Sequence, residues 1–196
     1  AGIYVGQCEN IIVRRNMAKM NVTGIEVENS VGADVYDNLS TDNTGGVLVF
    51  KLPNLPKEES RQCRVFNNKI TSNNRENFAK KGTLVSGLPP GGGLILMATD
   101  YVEVFGNEIS DNDTANLSIL SFRSTRRKIK DKDFDPFCEG IHIHDNAFSG
   151  GGTNPVGDLG KAIKAAFGTN GPDIVYDGVQ DPAKLVDGGL PHHLSV

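Results

Sequence analysis

The pattern apolar-x-apolar-x-x-Asn occurs five times along this chain. Its members are Ile11, Val13 and Asn16; Ala33, Val35 and Asn38; Cys63, Val65 and Asn68; Val102, Val104 and Asn107; and Ile141, Ile143 and Asn146. A second asparagine follows five residues later in four of these units, at Asn21, Asn43, Asn73 and Asn112. An alternating apolar pair also precedes each unit: Ile3 and Val5, Ile25 and Val27, Val47 and Val49, Leu94 and Leu96, Leu117 and Ile119. Where nothing is inserted the spacing is 22 residues, as between Asn16 and Asn38 or Gly24 and Gly46. A fixed period of this size restricts the fold to a stack of similar units.

Alternation over three to five residues, broken by Asn and Gly, has the period of a strand with one buried face. A unit of this length carrying several such strands is one turn of a parallel β-solenoid, in which coils stack at roughly 4.8 Å. The Asn columns have a structural reading. Asn tolerates the left-handed backbone of a coil corner, and stacked amides can bond up and down a column. The expected architecture is all-β, with about five coils over residues 1–152. Residues 153–196 follow as a capping helix and extended tail. In DLGKAIKAAFG, Leu159, Ile163 and Phe167 share a helical stripe that could cap the last coil, and Gly168 is a plausible C-cap.

The repeated VYDN, VFNN, VFGN and IHDN units resemble the right-handed parallel β-helix proteins of the pectin-lyase-like superfamily, and more narrowly the bacterial parallel β-helix repeat proteins. The resemblance covers about Gly2 to Gly152. It implies an extracellular or periplasmic protein that binds or processes an acidic polysaccharide, by lyase or C5-epimerase chemistry if it is catalytic. It also implies that Gly2 enters a strand without a cap, so that a preceding segment or another subunit covers the first coil. A bare coil end predicts self-association.

Composition narrows the partners. A net charge of −4 argues against general nucleic-acid binding. No apolar run is long enough to span a bilayer. Three cysteines are too few for a disulfide scaffold and lack the spacing of a zinc site. On the repeat, Cys63 faces inward, while Cys8 and Cys138 share a column with Ser30, Ser60 and Thr99. The nearest cysteine-bearing coils are two steps apart, roughly 10 Å, so three free thiols are expected.

Three insertions interrupt the coils, roughly at 51–61, 74–92 and 121–139. The third contains Arg123, Arg126, Arg127, Lys128, Lys130 and Lys132, a basic loop in an acidic chain. It is either a solvated charged loop or a clamp for polyanions such as uronate chains, with Arg126 and Arg127 at its centre.

The same register turns His142 and His144 outward. One outward column reads Ile12, Asp34, Arg64, Glu103, His142, and the next reads Arg14, Tyr36, Phe66, Phe105, His144. Glu103 then lies one coil from His142, close enough to hold an imidazolium or set its tautomer. For proton abstraction beside a uronate carboxylate, His142 or Tyr36 would be the base, Glu103 would orient it and Arg64 would neutralise charge. Phe66, Phe105 and His144 would contact sugar rings. No cofactor is fixed by the sequence, although the resemblance to lyases allows calcium between substrate carboxylates, Asp34 and Glu103.

Two other classes stay open. Outward ladders often only stabilise stacking, and the tail or an insertion could bury the strip, which leaves a noncatalytic interaction solenoid. Alternatively His142 and His144, with Glu103 as third ligand, could hold a metal for hydrolysis of a small ester or lactone. His192 and His193 read as surface residues.

Overall fold

The computed structural model describes residues 1–184 and the short strand Leu194–Ser195, and its strands form three parallel sheets. The chain is a right-handed parallel β-helix. The first sheet carries the longest strands, in the order β1 (Ile3–Gly6), β4 (Thr23–Glu28), β7 (Gly45–Phe50), β10 (Gly92–Met97), β13 (Ala115–Leu120) and β16 (Ile174–Tyr176). The second runs β2 (Ile12–Arg14), β5 (Asp34–Tyr36), β8 (Arg64–Phe66), β11 (Glu103–Phe105), β14 (Ile141–His144) and β17 (Leu194–Ser195). The third runs β3 (Met17–Lys19), β6 (Leu39–Thr41), β9 (Lys69–Thr71), β12 (Glu108–Ser110) and β15 (Ala147–Ser149).

The pairing follows the repeat. Val47 sits between Ile25 and Leu94, and Val65 sits between Val35 and Val104. These side chains fill one continuous core with Ile70, Ile109 and Cys63, all of them fully buried. Gly46 fits here because a side chain would strike core and ladder: an added Cβ would lie 2.6 Å from the Gly93 carbonyl oxygen and from Ile70 Cγ2.

The corners refine the expectation for asparagine. In the first ladder the left-handed residue is the one before each Asn: Arg15, Asp37, Asn67, Gly106 and Asp145, with φ between 52° and 63°. The turn points the following Asn inward, where its amide bonds across coils. Asn38 Nδ2 donates to Asn68 Oδ1 at 2.9 Å and to the Val13 carbonyl at 2.9 Å, and Asn107 Nδ2 donates to Asn146 Oδ1 at 2.8 Å. A second ladder runs from Asn21 through Asn43 and Asn73 to Asn112 and ends on Asn116. Buried polar groups therefore keep partners throughout both columns.

The helix α1 (Gly157–Phe167) departs from the expected cap. Ile163 packs with Ala115 and Val175 on the outer side of the first sheet, and Phe167 is exposed. The exposed end of the last coil is instead extended by strands, since β16 pairs with β13 and β17 with β14. Gly168, at φ 90°, ends the helix as expected, with its N–H donating to the Lys164 carbonyl at 3.0 Å. His192 and His193 lie outside the described residues.

The second and third insertions fold over the outer face of the first sheet. Leu84, Leu88, Phe122, Ile129 and Phe134 pack there against Leu48, Phe50, Ile95 and Met97. The cysteines are free, with Cys63 buried, Cys138 half-buried and Cys8 exposed. Burial raises the Cys63 thiol pKa and pushes that of Cys138 up to about 12, so neither is a ready nucleophile.

Candidate functional site

The second sheet presents the two outward columns. Glu103 pairs with Arg64 on one side and His142 on the other, while Phe105 lies between Phe66 and His144. Parallel in-register pairing places identical strand positions one above another, so like side chains stack. Tyr36, Phe66, Phe105 and His144 form a column of parallel rings with centroids 4.7, 4.9 and 5.2 Å apart. The strip is half-buried, and β17 continues the sheet beyond β14. Both faces of Phe66 and Phe105 are taken by their neighbours. What they offer to solvent is ring edge, whereas a sugar stacks on a face.

Of the four residues expected as a catalytic set, Glu103 and His142 approach each other, while Arg64 and Tyr36 are engaged elsewhere. Arg64 turns away from Glu103 and forms a two-pronged pair with Asp34, at 2.8 Å from Nε to Oδ1 and 2.6 Å from Nη2 to Oδ2. Its guanidinium also lies over the Phe66 ring at 5.6 Å. The Tyr36 hydroxyl accepts from Arg14 Nη1 at 3.2 Å and belongs to a coil well removed from His142. Arg126 and Arg127 are elsewhere again. Arg126 pairs with Asp158 at 3.2 Å, and Arg127 donates to the Thr83 carbonyl at 2.6 Å, both beside the first sheet. The basic loop therefore does not wall the aromatic strip, because its apolar residues anchor it to a different face.

Glu103, His142 and His144 do converge. Glu103 reaches diagonally past its strand partner: Oε1 lies 3.2 Å from His144 Nε2. On the other side of that ring, Nδ1 lies 2.9 Å from Asp145 Oδ2. The His142 ring stacks on His144 with centroids 4.4 Å apart. The His144 pKa is raised, first by the hydrogen bond to Asp145 and then by the one to Glu103. Its imidazolium can donate to both carboxylates at once. By its place in the repeat Asp145 is a corner residue, equivalent to Asp37, Asn67 and Gly106. The signal for its contact is local: a left-handed corner residue directly after an outward histidine can fold its carboxylate back onto that ring.

One donor atom from each of Glu103, His142 and His144 lies within 4.8 Å of the others. Two imidazole nitrogens and a carboxylate oxygen suit copper or zinc better than a hard cation. A donor separation of 3.2 Å is compatible with two ligands at about 2 Å from one ion. Asp145 supplies the outer support that metal-binding histidines use, an acceptor for the ring N–H remote from the metal. Asp100, Asp135 and Glu139 also approach one another, but Lys51 pairs with Asp100, and Lys184 with both Asp135 and Glu139.

The chain is thus a parallel β-helix whose second sheet carries an outward cluster of Glu103, His142 and His144. The chain belongs to the family described as periplasmic copper-binding protein (NosD), which it matches over residues 1–160. Its place is accordingly periplasmic, and no helix among the described residues is long and apolar enough to cross a membrane. No curated protein and no solved structure matches the chain.

Proposed function

We propose that this periplasmic β-helix binds a copper ion on the outer face of its second sheet, with His142, His144 and Glu103 as the protein ligands. The observation that carries the reading is the convergence of three donor atoms within 4.8 Å on adjacent strands. The family's description supplies the metal. In the ligated state His144 keeps its proton on Nδ1, donated to Asp145, and leaves the Nε2 lone pair for the ion. Bound copper would supply a Lewis-acidic, redox-active centre. The rigid strand pair holds the donors, while the exposure of His142 leaves the ion open to a further ligand or to transfer.

Copper is favoured over calcium, which takes six to eight oxygen ligands, because two of the three donors are nitrogens. Asp34, the other carboxylate expected to help hold calcium, is occupied by Arg64. The ion is likewise favoured over an acidic polysaccharide on this strip. Phe66 and Phe105 lack free faces, Arg64 is paired away, and Arg126 and Arg127 lie beside another sheet. Absence of ultraviolet-absorbing unsaturated product from alginate and pectin is the expected result of a lyase assay.

Titration of the untagged protein with Cu(II), followed by calorimetry and electron paramagnetic resonance, tests the reading. One equivalent with imidazole nitrogen hyperfine structure is expected. His142→Ala and His144→Ala each remove a ligand and should weaken it by more than the roughly tenfold lost with an outer support alone. Unchanged binding in the double variant, or loss confined to a His192→Ala/His193→Ala variant, would refute the site.

A further inference from the structure

The most cation-rich stretch of the sequence, Arg123 to Lys132, lies away from the metal ligands. Three segments, remote in sequence, meet on the outer side of the first sheet. The third insertion is tied to the second by the Arg127 bond to the Thr83 carbonyl, and to α1 by the Arg126 pair with Asp158. The second insertion touches the start of α1, where a Cβ on Gly157 would lie 3.0 Å from Pro89 Cβ. These segments carry Lys80 and Lys81, the six cations between Arg123 and Lys132, and Lys161 and Lys164, against the carboxylates Glu76, Asp131, Asp133, Asp135 and Asp158. The cations are half of the chain's 20 lysines and arginines, in a protein whose net charge is −4. All ten are exposed.

A second observation concerns apolar side chains. Phe78, two residues before Lys80, is 61% exposed, and Phe167, three residues after Lys164, is 60% exposed. Other phenylalanines of the same segments, Phe122 and Phe137, are buried in the packing beneath. Each exposed ring lies two or three residues along its own segment from one of these cations. Cations flanked by exposed aromatics are the chemistry of an interfacial membrane contact, where the charges meet lipid phosphates and the rings enter the acyl boundary.

We propose that this face docks the protein on an anionic phospholipid bilayer. A bilayer reads charge and area, not a groove, and the cations here are exposed on three separate segments. Docking through the first sheet's outer face leaves the His142 and His144 strip, on the second sheet, facing the aqueous phase. The inference stands apart from copper binding, because it uses none of the metal ligands.

Co-sedimentation of the full chain with phosphatidylcholine vesicles, with and without phosphatidylglycerol, tests it. Binding is expected only with phosphatidylglycerol and should fall steeply as salt rises. Lys128→Glu, Lys130→Glu and Lys132→Glu together should weaken it at least tenfold. Phe78→Ser with Phe167→Ser should selectively remove the binding that survives added salt. The substituted side chains are exposed, so circular dichroism should be unchanged in both variants. Equal sedimentation with neutral vesicles, or unchanged binding after charge reversal, would overturn the proposal. So would tighter retention on polygalacturonate than on phosphatidylglycerol, which would assign the face to an acidic polysaccharide.

Discussion

Asp145 Oδ2 lies 2.9 Å from His144 Nδ1, and the contact exists because Asp145 occupies the left-handed corner that ends β14. Removing its charge should lower the pKa of His144, since Asp145 is the leading cause of the rise. The measurement is an NMR titration of ligand-free protein. Asp145→Asn should move the His144 resonance to a lower midpoint. Arg64→Ala should leave it nearly in place.

The same shift sets a pH dependence of folding. The folded pKa of His144 is raised, so the folded state binds its proton more tightly than the unfolded chain does. The contribution to stability is fully present below the unfolded pKa and is lost as pH rises through the folded one. A His144→Phe variant should remove that component from denaturation curves measured on either side of the window, while preserving the ring stack on Phe105.

Asp145 should also matter to metal binding without touching the ion. Asp145→Ala frees the ring from its outer acceptor, and copper affinity should fall about 10- to 100-fold, the usual scale for such supports. The electron paramagnetic resonance spectrum should still show imidazole nitrogens. Loss of those nitrogens would mean that Asp145 itself had been a ligand.

Asn68→Ala should destabilise the fold far more than Asn16→Ala. Asn68 Oδ1 accepts from both the backbone N–H and the side-chain amide of Asn38, and its own amide donates to Val35, Phe66 and Asn107. Removing it orphans buried groups at about 1–3 kcal/mol each. Asn16 belongs to a partly exposed end of the column, where water can replace the lost bonds. Urea denaturation of both variants gives the comparison.

Asp100 should titrate near 6. Its burial raises the pKa to about 6, and Lys51, 3.8 Å away, opposes that rise. Because the folded pKa lies above the unfolded value, this carboxyl takes up a proton on folding between about pH 4 and 6, and stability from this group falls as pH rises through that window. Lys51→Met should raise the midpoint further, read from the carboxyl carbon shift.

The strand rows were legible from the repeat: Glu103 opposite His142, Phe105 opposite His144, and the inward Ile141 and Ile143 all follow from counting. The choice Glu103 makes was not. Its backbone partner is His142, yet its carboxylate takes the diagonal His144, a decision of side-chain geometry at 3.2 Å that spacing does not encode. Arg64 had two neighbouring carboxylates, Asp34 and Glu103, and the register allowed either. The basic loop was legible as charge, while its position depended on Phe122, Ile129 and Phe134 finding Phe50 and Met97 across the first sheet. Long-range apolar docking of an insertion leaves little periodic trace.

Successive members of the first asparagine ladder are separated by 22, 30, 39 and 39 residues, yet each makes the same bond to the next. Loop length is thus erased at every corner. An inserted segment can grow, shrink or exchange its charge without altering where the next strand begins, so the two faces of this molecule can be edited independently of each other. The ladder works as an addressing system: it tells each new coil where to start and keeps no record of the route by which the chain arrived.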